Sequence, residues 1–495
     1  MPPFPQPFTS SVSHWQATNR GPTSLWKHGA TDPLPSDVVD FAIIGGGITG
    51  TSLAYQLTRP SSAGERKKIV LVEAKDIASG ATGRNGGNVA PASGAVFNIL
   101  TRPLAEGGSG LSAEEALDVI GNEQDTLEYA AELIKEETLD VDFWRGDAFS
   151  IATTEETVEA TRRALEAFDK ARAKSSKARH LNTSRFIDDP TEAKKLGRTP
   201  HALAINHYKV GTCHPHKLAT ALARLALSSK AADFKYFSWT PVKSIETTKQ
   251  GFTLDCHDKG QIRARQVIVC TNAYTKYLFP DDWEKETGIA GHITQYRGHA
   301  GHVVPPLSFS GEQSFKASSE VEDEQYFMTT PQGGIVTGMG AMTSVGHGLV
   351  TKDEIYEQDD DSVVLDRFGD YYGSFFKRTF DGWSDVASGE GLSRLWTGIM
   401  AASRDRLPLI GPIPNKPGLW AAVAFHGHGM ARILTCTRSL AKQILNPGEW
   451  DERLPKSFEI TEERLERAKQ APKPYKKEPA PEVPVGENAE AESGV

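Results

Sequence analysis

Three glycines, Gly45, Gly47 and Gly50, follow the apolar run Phe41-Ala-Ile-Ile44, and an acid, Glu73, follows a second apolar run, Ile69-Val-Leu-Val72. That order of strand, glycine turn, helix, strand and acid suits an adenine dinucleotide. The first glycine permits a tight turn, the second lets a pyrophosphate approach the backbone, and the third lets a helix pack closely on the strand. Ile48 and Thr49 open that helix, whose unpaired N–H groups and positive dipole end face the phosphates. Glu73, followed by Ala74, stands roughly 20 residues further on, where a carboxylate accepts the ribose hydroxyls.

A second glycine turn comes late in the chain. Leu419-Trp-Ala-Ala-Val-Ala-Phe425 is strand-like, His426-Gly427-His428-Gly429 is a turn, and apolar residues at helical spacing follow from Met430. A helix starting at Met430 would set the amides of Gly429 and Met430 against any group that gains negative charge during reaction. His426 and His428 either titrate in a range useful for proton transfer or are turn residues only.

The loop after Glu73 narrows the class of dinucleotide. Ser79-Gly-Ala-Thr82-Gly83-Arg84-Asn85-Gly86-Gly87-Asn88 has four glycines and no apolar periodicity. Such a loop suits an extended ligand with phosphates and hydroxyls along its length, where a nicotinamide enzyme would return to a βαβ rhythm. At these residues the chain resembles the D-amino-acid oxidase superfamily of flavoenzymes. The "SGATGRNGGN" string is most similar to its γ-glutamylputrescine oxidase-like branch and related fungal FAD-dependent oxidoreductases. The resemblance implies that Ser79, Thr82, Gly83, Arg84, Asn85, Gly86 and Gly87 run along FAD towards the isoalloxazine, with Val242, Thr271 and Asn272 also near the cofactor. It places the amides of Gly429 and Met430, with Gly427 and His428, at the flavin pyrimidine edge. Arg404-Asp405-Arg-Leu-Pro408-Leu-Ile-Gly411 resembles the late flavin-contact segment T-x-D-x-x-P-x-x-G, although Ser403 stands where threonine is common and Asp405 is open to a capping or ion-pairing role.

Departures from the relatives carry information too. Gly398, Ile399 and Met400 stand where sarcosine oxidases have the cysteine that bonds the flavin, and Arg84-Asn85 where dimethylglycine dehydrogenase-like enzymes have a histidine. Non-covalent FAD is the expectation. The sarcosine oxidase lysines for substrate carboxylate and for oxygen fall at Ala431 and near Val336. Candidates on the substrate side are His292, Gln295, Tyr296, Arg297 and Tyr326, with Arg297 either orienting a carboxylate or structural. The resemblance implies an enzyme that oxidises a C–N bond of an amine or amino-acid-like substrate to an imine, passing hydride to flavin N5 and electrons to O2. A dehydrogenase using a quinone or protein acceptor, and a flavin-binding protein without turnover, remain as alternatives.

These residues need a frame. The expected fold class is α/β, a Rossmann-like FAD-binding domain with a discontinuous α+β substrate domain on a mixed antiparallel sheet. The sequence divides into an arm at 1–35, FAD-binding parts at 36–95, 208–282 and 386–450, substrate-domain parts at 96–207 and 283–385, and an extension at 451–495, disordered from about 472. The arm, rich in Pro, Ser and Thr, reads as irregular and laid on the surface. Helical spacing marks 113–137 and 155–176, and short β-branched runs between 234 and 270 read as a meander. A net charge of −9 gives no electrostatic reason to expect nucleic acid or anionic membrane as partner. No apolar run approaches the roughly 18 residues needed to span a bilayer. Cys213, Cys256, Cys270 and Cys436 lack metal-ligand spacing, so no metal is expected, and a cytoplasmic protein of unknown oligomeric state is the default.

Overall fold

A computed structural model of the chain describes residues 10–60, 66–178, 180–322, 325–473 and 475; the expected disordered tail lies almost wholly outside them. Two sheets organise the molecule. In the first, strands run in the order Leu409–Pro412, Leu419–Val423, Gln261–Val269, Val39–Ile44, Lys67–Val72, Ala232–Phe237. All neighbours are parallel except the edge pair Leu409–Pro412 and Leu419–Val423. Phe41, Ala42, Ile43 and Ile44 are all buried, as parallel strands covered on both faces require. The meander is present: Ser244–Thr248 and Gly251–Asp255 pair antiparallel and lead into Gln261–Val269.

Helices Ile48–Leu57, Pro215–Ser228 and Ile433–Leu445 cover one face of this sheet. Small residues let them approach, and the hydroxyls of Ser52 and Thr437 meet at 2.7 Å between the first and last. The long helix Ala113–Glu136 starts at a reciprocal cap, Ser112 with Glu115, and buries an apolar stripe beside Ile433–Leu445.

The second, mostly antiparallel sheet has the order Gly391–Ser403, Ile293–Val304, Ile335–Met339, Gln325–Thr329, Ser318–Val321, Trp144–Ala152, Ala204–Thr212, Asn88–Val89, with Arg185–Ile187 also on Ala204–Thr212. Its far side is closed by aromatic residues of helix Arg367–Thr379 and the loop after it, Phe375, Phe376, Phe380 and Trp383, against Phe309 and Phe327. The α/β class with one parallel and one mixed antiparallel sheet is therefore observed.

Three segments that the sequence reading groups with the FAD-binding parts pair in the second sheet. Gly391–Ser403, expected with the FAD-binding part, pairs along its length with Ile293–Val304 in the second sheet. Asn88–Val89 and the start of 208–282 also pair within the second sheet. Strand pairing between distant segments decides this, and local apolar content does not report it. The arm, read as irregular with Trp15 and Trp26 as isolated anchors, contains a short helix and does bury Trp15. His14–Thr18 is a short helix with a Ser13–Gln16 capping box, and Trp15 is 1% exposed.

Candidate active site

The cradle for a dinucleotide is built at the C-terminal end of Val39–Ile44. Gly45 adopts φ +113°, a region strained for any side chain, and donates its N–H to Val72 O at 2.8 Å. A Cβ on Gly45 would sit 2.6 Å from Cys270 O, and one on Gly50 would sit 1.9 Å from Gly45 O. The helix start therefore rests directly on the turn. A Cβ on Gly47 would meet Thr82 Oγ1 at 3.0 Å, and that hydroxyl accepts the Ile48 N–H at 2.9 Å. Thr49 is buried within the same first turn.

Glu73 Oε2 accepts from Gly46 N at 2.6 Å and Oε1 from Lys75 N at 2.9 Å. Burial pushes its carboxyl up, and these backbone bonds oppose the shift. Each oxygen keeps a lone pair for a ribose hydroxyl. Ala74 beside it is half-buried. Thr240 N donates to Glu73 O at 2.8 Å, so the segment reaching Val242 runs next to the acid; Val242 itself packs into the core with Tyr274.

From Asp76 to Asn88 the loop crosses to the second sheet. Ser79 O accepts from Arg84 Nε at 2.7 Å, and Asn85 braces the bend, donating to Thr82 O at 2.9 Å and accepting from Gly87 N at 2.7 Å. A Cβ on Gly83 would collide with Ala78 O, one on Gly87 with Cys213 O, and one on Gly86 would lie 2.5 Å from the Tyr326 ring. The Arg84 side chain is engaged within the protein. Its buried guanidinium donates to Thr397 O at 2.9 Å and Ser11 Oγ at 3.1 Å, and Nε lies 3.3 Å from Asp361 Oδ2. The side chain ties the loop to the second sheet and leaves only backbone to offer a ligand.

The turn at 424–430 faces this loop. Asn272 Oδ1 accepts from Ala424 N at 2.9 Å and Phe425 N at 3.3 Å, while Thr271 pairs with Thr275 at 3.0 Å. His426 N donates to Ala401 O at 2.9 Å. Asn272, Arg406, Ala424 and His426 all hold left-handed backbone. Such conformations cost of order 1–3 kcal/mol each and gather at functional sites. A Cβ on Gly427 would lie 2.6 Å from Tyr296 Oη and 3.7 Å from Met400 Sδ, which sets the turn against the second sheet. The helix starts later than expected, at Ile433, after a single 3₁₀ turn Gly429–Ala431. Gly429 and Met430 still carry the leading amides of that turn, which have no carbonyl one turn back to pair with.

Behind the turn lies an ionic cluster whose Glu123 and Arg432 are outside the residues singled out in the sequence. Glu123, fully buried in Ala113–Glu136, accepts from Arg432 Nε at 2.7 Å and Ala92 N at 2.6 Å, and lies 3.1 Å from His428 Nε2. Burial would raise its carboxyl, but the charges of His428 and Arg432 outweigh that and hold it at about 2. His428 is thus committed on one nitrogen to Glu123. His426 differs: its Nδ1 has no hydrogen-bond partner among the described residues. Burial, then the positive charges of Arg406 and Arg432, push it down to about 3, so it is neutral. The Tyr326 phenol is pushed up to about 12 by burial.

Four of the expected site residues have side chains engaged elsewhere. Arg297 donates to Asp360 O at 2.8 and 3.1 Å and to Glu354 O and Gln358 Oε1 at 3.3 Å, holding the loop at 354–360 rather than a carboxylate. Asp405 is buried in a forked pair with Arg464 at 2.8 and 3.2 Å. His292 bonds the carbonyls of Gly288 and Leu465, both at 2.7 Å, and Gln295 donates to Ala273 O at 2.6 Å. Glu123 had a signal available, a charge at the i, i+3, i+7 spacing of buried Ile120 and Leu127. Arg406 had none.

The cradle fits an adenine dinucleotide. It offers a carboxylate with free lone pairs, a helix start over three glycines, a glycine loop reaching Tyr326, and a second turn with leading amides. The family model described as DAO, FAD dependent oxidoreductase, matches residues 40–443. No curated protein sequence matches the chain. Among solved structures the fold is similar to glycine oxidase from Geobacillus kaustophilus (18% identity, 86% of this chain and 99% of that one, TM-score 0.65). It is also similar to L-proline dehydrogenase from P. horikoshii (18%, 86% and 97%, 0.64). A third is dithionite-reduced L-alpha-glycerophosphate oxidase from Mycoplasma pneumoniae with FAD bound (16%, 86% and 99%, 0.56). With most of its length matched to that model, the chain belongs to the DAO family of FAD-dependent oxidoreductases.

Proposed function

We propose that the chain binds FAD without a covalent bond and oxidises a C–N bond of a small amine or amino-acid-like substrate to an imine. Bound FAD supplies the acceptor for two electrons and a hydride equivalent. The observation that carries the amine reading is the buried His426 imidazole, whose Nδ1 has no hydrogen-bond partner among the described residues and which burial, then Arg406 and Arg432, push down to about 3. An alcohol needs a base to take its O–H proton, and an imidazole held at about 3 is a poor one. A neutral amine brings its own lone pair. The charge of Arg406 also disfavours an ammonium and favours the neutral amine. The same positive field favours negative charge placed against the Gly427–Met430 turn. Tyr296 Oη lies against the turn at Gly427 and the Tyr326 ring against Gly86, where their hydroxyls can orient a substrate.

Glycine oxidase and an iminodiacetate oxidase from Chelativorans among the similar folds act on amino compounds, which supports the class. O2 as electron acceptor, giving H2O2, is the first reading. A quinone or protein acceptor is the second, favoured by the region near Val336, where sarcosine oxidases carry an oxygen-assisting lysine and this chain has a fully buried valine. No helix among the described residues is long and apolar enough to cross a membrane, in keeping with a cytoplasmic location, which cell fractionation tests.

Anaerobic bleaching of the flavin over polyamines, N-acylated diamines, secondary amino acids and 2-hydroxy acids tests the reading. Bleaching by amines supports it, bleaching by hydroxy acids alone overturns it, and no bleaching points to a flavin protein without turnover. Admitting air to the reduced enzyme separates the two acceptors by the rate of reoxidation.

A further inference from the structure

The family match begins at residue 40, yet residues 10–27 make some of the most specific contacts to the glycine loop. Ser13 Oγ donates to Gly83 O, and Trp15 Nε1 donates to Asn85 O at 2.7 Å. Between them, Arg84 O accepts from Trp396 Nε1 at 2.8 Å. Three successive carbonyls of the loop are therefore each held by a side-chain donor. Gln16 Nε2 adds a bond to Ser79 O at 3.4 Å, Lys27 N one to Asp76 Oδ1 at 2.6 Å, and the hydroxyls of Ser10 and Ser11 accept from Arg84.

The same segment joins parts of the molecule that the loop alone does not. Trp15 packs with Ala300, Met328, Val336 and Trp396 of the second sheet, and the His14 ring stacks on His302 at 4.1 Å. Thr18 Oγ1 meets His214 Nε2 at 3.0 Å and Asn19 Nδ2 meets His216 Nδ1 at 2.9 Å, at the start of the helix Pro215–Ser228. His214 Nδ1 already accepts the Lys217 N–H as a helix cap, so its Nε2 carries the proton and donates to Thr18.

We propose that residues 10–27 form a strap that fixes the cofactor loop 76–88 in its binding conformation, with Ser13 and Trp15 as positioning residues for FAD. The physical need is clear from the loop itself. Four glycines within Gly80–Gly87 leave it with much backbone freedom to lose on binding, and buried carbonyls demand donors. Trans peptide planarity sets each C=O opposite to the next N–H. Holding Asn85 O on the strap side turns the Gly86 N–H away from the strap. The loop is thereby ordered before the ligand arrives, which lowers the entropic cost of binding.

The test uses the full chain carrying Trp15→Phe, which keeps an aromatic ring and removes the indole donor, and separately Ser13→Ala, which removes the hydroxyl. FAD release from the holoenzyme is followed by the rise of flavin fluorescence in mild chaotrope. Urea unfolding is measured with and without excess FAD. Each variant is expected to release FAD about tenfold faster, the equivalent of roughly one hydrogen bond. The stabilisation that FAD gives, the difference between the two unfolding curves, should shrink correspondingly. If both curves fall together and the difference and release rate match wild type, the strap only stabilises the fold and the proposal is overturned. Should Trp15→Phe fail to fold, Ser13→Ala decides alone. A wild-type chain without flavin would instead overturn the cofactor assignment.

Discussion

Replacing Glu123 with glutamine removes one charge from beneath the Gly427–Met430 turn while keeping the shape. The amide oxygen can still accept the Ala92 N–H, but Arg432, with its side chain 8% exposed, loses its counter-ion. Breaking a buried pair in this way costs about 3–5 kcal/mol. Linkage gives a second route to the magnitude. Burial works to raise the carboxyl, yet His428 and Arg432 hold it at about 2 against an ordinary value of 4.5. A shift of that size corresponds to about 3 kcal/mol. The folded value lies below the unfolded one, so this stability is present above pH 4.5 and is lost as pH falls towards 2. Urea unfolding at pH 7 should therefore show the variant about 3 kcal/mol less stable, with the gap narrowing as pH falls from 4.5 towards 2. The midpoint potential of bound flavin should rise, because the positive charge behind the turn is no longer balanced. A stability loss under about 0.5 kcal/mol, within the ordinary range of surface substitutions, would refute the buried-cluster argument. A full loss with an unchanged potential would show that the turn does not act electrostatically on the flavin.

Gly50→Ala puts a Cβ 1.9 Å from Gly45 O, so the helix must move off the turn, at a cost of about 1–3 kcal/mol or more; flavin content should fall, whereas Gly80→Ala, with nothing within 4 Å, should match wild type in the same absorbance assay. Acid or heat denaturation should release all flavin to the supernatant, since none of Gly398, Ile399 and Met400 is a cysteine and the four cysteines are buried; yellow colour left on the precipitate would contradict this. His14, His214, His299 and His426 are held at about 3 and His216 and His302 at about 4, each chiefly by burial. Their folded values lie below 6.5, so stability present above pH 6.5 is lost on acidification, by up to about 1.4 kcal/mol per pH unit for each histidine. The urea midpoint should fall steeply from pH 6.5 to 5 and change little from 8 to 7; a flat acid limb would show that these histidines are not buried neutral.

The sequence alone determined the features that depend on near neighbours. Gly45, Gly47, Gly50 and Glu73 are legible because strand, turn, helix and acid follow one another along the chain, and the loop from Ser79 to Asn88 is legible as a string of small residues. The late glycine turn is legible for the same reason, though its helix begins at Ile433 rather than Met430 because a 3₁₀ turn intervenes. Tertiary structure decided what each charged side chain does. Arg84, Arg297 and Asp405 stand beside glycines or strand ends where ligands bind, but Asp361, the loop at 354–360 and Arg464 claim them. Glu123 and Arg432 meet across 309 positions of sequence, and Ser13 reaches Gly83 across 70. A charge is satisfied by whatever the fold brings within about 3 Å, and a burial cost that only packing can impose decides which partner it takes. Local spacing fixes where a backbone can cradle a cofactor, and long-range packing fixes which side chains are left free to face it.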